Sequence, residues 1–65
     1  MQHKLRKKRL EHGYTLKEMS ECCGYRSPSA YQMIESSLII PPVHKAMKIA
    51  QKLNSTVEEL FEYNN

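Results

Sequence analysis

Apolar residues along this chain recur at intervals of three and four rather than two, so the pattern predicts short helices throughout and no strand. The first helix is expected over about residues 2–12, turning Leu5, Leu10 and the alkyl stems of its basic residues inward, and Gly13 can cap it in a left-handed conformation. The second opens on Thr15-Leu16-Lys17-Glu18, which reads as a capping box. Tyr14 and Met19 occupy the positions of a hydrophobic staple across that cap, and Gly24 closes the helix after Cys23. Ser27 is the expected N-cap of a third helix, with Pro28 at the first helical position, where its missing N–H costs nothing. There Tyr31, Ile34 and Leu38 form an inward stripe, and Ser29, Gln32, Met33 and Ser36 fall on the opposite face. Pro41-Pro42 stops the chain and restarts it into a fourth helix with Val43, Ala46, Met47, Ala50 and Leu53 at helical spacing and Asn54 as its cap. A second capping box, Thr56-Val57-Glu58-Glu59, opens a fifth helix that buries Val57, Leu60 and Phe61. The expected fold is a single all-α domain over residues 1–65, a compact five-helix bundle.

Length narrows the function classes. At 65 residues the chain leaves little room for a deep catalytic pocket, so a binding module is expected rather than an enzyme. The three histidines and the carboxylates supply no set of nucleophile, base and orienting group, and no catalytic residue is assigned. Cys22 and Cys23 are adjacent and point in different directions on a helix, while His3, His12 and His44 add no zinc-ligand spacing. No metal and no cofactor are expected. Cys23, in line with Met19, reads as core. Neither a membrane span nor a signal peptide is evident, and two cysteines without a disulfide framework suit a reducing cytoplasm.

Charge is distributed unevenly. Residues 1–26 hold seven Lys and Arg against three Glu, whereas residues 27–65 hold three against four. That asymmetry favours a polyanionic partner for the first half, although a basic run such as LRKKR also suits a solvated helix face.

The second helix, a short turn around Gly24 and the capped third helix make a helix-turn-helix candidate. With the blocks LRKKR, GYTLKEMS, CGYRS, AYQMIE, PPVHKAMKIAQKL and TVEELF in this order, about residues 4–61 resemble the XRE-type, phage-repressor and Cro-like family of DNA-binding domains. The resemblance implies a lambda-repressor-like bundle, double-stranded DNA as partner, and a bacterial or phage-borne transcriptional regulator. It places the third helix in the major groove and the second across the backbone. Ser27 and Ser29 then stand at the groove edge, Gln32 and Met33 face base edges, Ser36 flanks phosphate, and Lys17 and Arg26 neutralise phosphates together with the basic first helix. Met33 also suits the rim of the core, and Tyr25 either the bundle or a phosphate. The resemblance further implies a buried ion pair between Arg9 and Glu35 that fixes the third helix against the first. Members of the family also serve as antitoxins and protein-binding adaptors, so a protein-interaction module is the alternative. Leu16 stands where many members place a phosphate-binding Gln, Pro28 where many place a polar base reader, and Ser36-Ser37 where a polar residue and Gly are usual.

The loop Leu38-Ile39-Ile40 is apolar where the family is commonly basic and polar. Leu38 is expected to close the core. Ile39 and Ile40 either tuck under the fourth and fifth helices or form, with Phe61 and Tyr63, an exposed apolar interface for a homodimer or another protein.

Overall fold

The structure, a computed structural model, describes residues 3–61. These form five helices: α1 (His3–His12), α2 (Leu16–Cys23), α3 (Pro28–Glu35), α4 (Val43–Lys52) and α5 (Val57–Phe61). Among the described residues there is no strand.

One device ends the first four helices. Gly13, Gly24, Ser37 and Asn54 each take a positive φ, and the residue after each donates its N–H back across the last turn. The bonds run from Tyr14 to Arg9, Tyr25 to Ser20, Leu38 to Met33 and Ser55 to Ala50, all to backbone carbonyls at 2.9–3.1 Å. This is the Schellman closure, which satisfies carbonyls that a helix end leaves free. At Ser37 it is built on a residue with a Cβ, for which φ of 63° is strained.

The helices pack in a closed circuit, α1 on α3, α3 on α2, α2 on α4, α4 on α5 and α5 on α1. Leu5, Met19, Cys23, Tyr31, Ile34, Ala46, Ile49, Ala50, Leu53, Leu60 and Phe61 make the core between them. Ser20, also buried, donates its hydroxyl to the Ser27 carbonyl at 2.8 Å, which ties α2 to the entry of α3. Lys45 from α4 reaches the Cys23 carbonyl at 2.9 Å and lies 4.3 Å over the Tyr25 ring. Tyr25 therefore packs on the bundle, and the turn between α2 and α3 is clamped from both sides.

Across the junction of α1 and α3, the Arg9 Nε donates to Glu35 at 2.5 Å and a second guanidinium nitrogen donates at 3.3 Å. The third nitrogen donates to the Tyr14 carbonyl at 3.0 Å, and Arg9 and Glu35 are both more than nine-tenths buried. Tyr31 is wholly buried beside this pair with its hydroxyl lacking a hydrogen-bond partner; burial first and the Glu35 carboxylate second push its pKa well above the ordinary tyrosine range.

Several apolar positions expected inward face solvent instead. Leu38 is 73% exposed, because the left-handed Ser37 ends α3 before the stripe of Tyr31 and Ile34 reaches it. Ile39 turns inward in its place and packs on the core. In α4 the buried stripe is Ala46, Ile49, Ala50 and Leu53, which leaves Val43 and Met47 on an uncovered flank at 68% and 51% exposure. Leu10 is likewise exposed at the end of α1.

Glu35→Ala leaves Arg9 buried without its partner at a cost of about 3–5 kcal/mol, comparable with the whole stability of a small domain. Chemical denaturation should find this variant largely unfolded in buffer, and a midpoint close to wild type would contradict a buried pair. Ser37→Gly relieves left-handed strain and should raise stability by up to about 1 kcal/mol, or a few degrees of melting temperature.

Candidate nucleic-acid interface

The outer surface of α3 begins with its entry. Ser27 has the extended backbone of an N-cap (φ −132°, ψ 150°), but its side chain makes no capping bond and instead pairs with the Ser29 hydroxyl at 3.0 Å. Pro28 at the first position fixes the turn into the helix. Beyond it Ser29, Gln32, Met33 and Ser36 are all exposed, while Tyr31, Ile34 and Glu35 face inward. Met33 is 40% exposed, so it stands on the open face and not within the core.

At the entry of α2 the expected capping box is present. The Glu18 N–H donates to the Thr15 hydroxyl at 3.1 Å, and the Thr15 N–H donates to the Glu18 carboxylate at 2.8 Å. That backbone bond, then the Thr15 side chain, holds the Glu18 carboxyl below its usual pKa. The N–H groups of a helix's first turn have no intrahelical carbonyl to receive them, and in α2 this turn, opening at Leu16, is the positive end of the helix dipole.

These elements meet in a cleft of about 170 Å³ lined by Arg6, Arg9, Leu16, Gln32, Glu35 and Ser36. The cleft brings Gln32 and Ser36 together with the start of α2. Lys17, Arg26, Ser27, Ser29 and Met33 are exposed but do not line it. Arg6 is an addition that pattern reasoning did not single out. It lies one turn before Arg9 on the same face of α1, so the pairing of Arg9 with α3 brings it to the α3 side.

The rest of the basic first helix goes elsewhere. Lys4, Lys7 and Lys8 line a second cleft of about 340 Å³ with Glu11, Ser55, Glu59 and Leu60, on the side of α1 that meets α5. The five basic residues of α1 within residues 4–9 are thus divided, Arg6 and Arg9 lining the cleft beside α3 and Lys4, Lys7 and Lys8 the one beside α5.

Of the four residues expected to form an apolar interface, the three that are described also separate. Phe61 is 5% exposed and belongs to the core, because α5 turns it inward with Leu60. Ile39 is half-buried against the core, Ile40 is 79% exposed, and Tyr63 lies outside the described residues. The large apolar side chains left open near the loop are Leu38, Ile40, Val43 and Met47.

The cysteines offer no chemistry on this surface. Cys23 is core, and burial, reinforced by Cys22, pushes its thiol up to about 12. Cys22 is half-buried, with its sulfur 3.6 Å from the Lys48 carbonyl. Among the described residues no three His, Cys, Asp or Glu side chains gather as a metal site, and no helix is long and apolar enough to cross a membrane.

A family model described as helix-turn-helix matches residues 5–60, from the first core residue of α1 to the core of α5. Comparison with curated proteins and with solved structures yields no match.

Proposed function

Because the chain belongs to the XRE-type helix-turn-helix family, whose domains bind double-stranded DNA, we propose that it is a sequence-specific transcriptional regulator, a repressor that occupies an operator and competes with polymerase. The observation that carries this reading is the outer face of α3, exposed and polar at Ser29, Gln32 and Ser36 and anchored from behind by Glu35. Gln32 is the long hydrogen-bonding side chain there, able to pair with an adenine edge, while Met33 offers apolar contact to a thymine methyl. Lys17 and Arg26, at the entry to α2 and in the turn before α3, suit phosphates on either side of the groove.

Readout by so few groups is modest, and affinity then rests largely on phosphate contacts. The logarithm of affinity should fall linearly with the logarithm of salt, with a slope near −0.9 for each phosphate neutralised. Gln32→Ala should compress the preference for a selected site over random duplex by roughly 1–3 kcal/mol while leaving the salt slope in place. Binding that is indifferent to salt in both proteins would count for a protein-interaction module instead.

Exposure of Leu38, Ile40, Val43 and Met47 favours a second element of the reading, pairing of two copies. One domain touches few base pairs, and two-fold pairing on half-sites ~34 Å apart gives a short operator enough contacts. Residues 38–43 are apolar and carry no charge to oppose a second copy. Replacing Leu38 with Lys and Ile40 with Asn should therefore keep the melting temperature and abolish pairing in sedimentation equilibrium or cooperative binding to two half-sites. Ile39→Lys, by contrast, should lower the melting temperature sharply, since Ile39 packs on the core.

A further inference from the structure

We propose that Arg6 grips one backbone phosphate in the cleft between α1, α2 and α3. The inference rests on the DNA-binding reading and assigns a residue to it. Leu16, at the first position of α2, presents only an alkyl side chain to the cleft. Arg9 is already committed, to Glu35 through two nitrogens and to the Tyr14 carbonyl through the third. Glu35 is neutralised by that pairing, and Gln32 and Ser36 carry no charge. Arg6 is thus the one cation of the cleft lining with its charge uncommitted: it is exposed and makes no ion pair among the described residues.

Size and surroundings narrow the occupant. At about 170 Å³ the cleft lies below the usual range for a small-molecule pocket. Leu16 places the positive end of α2 at the cleft wall, and Ser36 and Gln32 add neutral donors on the α3 wall. A guanidinium aimed at this point can hold a phosphate through two parallel hydrogen bonds, which fixes angle as well as distance. With one phosphate held beside Gln32, α3 is set in register along the groove.

The control is built into α1. Lys7 is also exposed and carries the same charge, but it lines the cleft on the α5 side. Duplexes are first selected from a random-sequence pool with the wild-type chain; affinity for the selected duplex is then measured from dilute to physiological salt for wild type, Arg6→Gln, Arg6→Lys and Lys7→Gln. Thermal melts establish that each variant is folded. Arg6→Gln should flatten the salt slope by about one unit without changing base preference, Arg6→Lys should keep the slope with weaker binding, and Lys7→Gln should leave the slope within a fraction of a unit of wild type. Equal flattening by Arg6→Gln and Lys7→Gln would reduce Arg6 to its share of net charge and overturn the assignment. If the wild-type chain selects no duplex, the DNA-binding reading itself fails, and the assignment fails with it.

Discussion

A guanidinium and a carboxylate, both nearly out of solvent, determine how α3 is presented. The Arg9–Glu35 pair spans the junction between α1 and α3, where the packing between helices is slightest. Apolar burial is non-directional and leaves a short helix free to rotate or slide; a two-pronged charged bond does not. Glu35 sits at the last position of α3, so fixing it sets both the depth and the rotation of the helix. Ser29, Gln32 and Ser36 are outward for that reason as much as for their polarity.

The same pair fixes α1. With Arg9 turned toward α3, the helical period sends Arg6 to the same side and Lys4, Lys7 and Lys8 toward α5. Electrostatic attraction of a polyanion to the first half of the chain is a property of all these charges together, but close contact is open only to those on the α3 side. On the proposed reading the basic run has two roles, long-range steering by most of it and a local grip by one residue.

Legibility in the sequence followed how local each rule was. Gly13, Gly24 and Asn54 end helices, and Thr15 with Glu18 begins one, through bonds confined to a few neighbouring residues. The second box formed by half: the Glu59 N–H donates to the Thr56 hydroxyl, but the Glu59 carboxylate accepts from Ser55. The stripe in α3 ran one turn too far because nothing in periodicity announces that Ser37 will adopt a left-handed conformation. In α4, position along the helix did not reveal which flank its neighbours would cover, and Ile49, not Val43 or Met47, sits at the centre of the buried face. The outward face of α3 was readable from its period. Arg6 was not, because its place depends on a bond between residues 26 apart in sequence.

Amide chemical shifts of the labelled protein, followed as a selected duplex is added, test the placement of this interface most directly. The account predicts that the largest changes fall on Arg6, Leu16, Lys17, Ser29, Gln32 and Ser36, the residues around the cleft and the outer face of α3. Changes concentrated instead on Lys4, Lys7, Lys8 and Ser55, or on the flank of Leu38, Val43 and Met47, would contradict it.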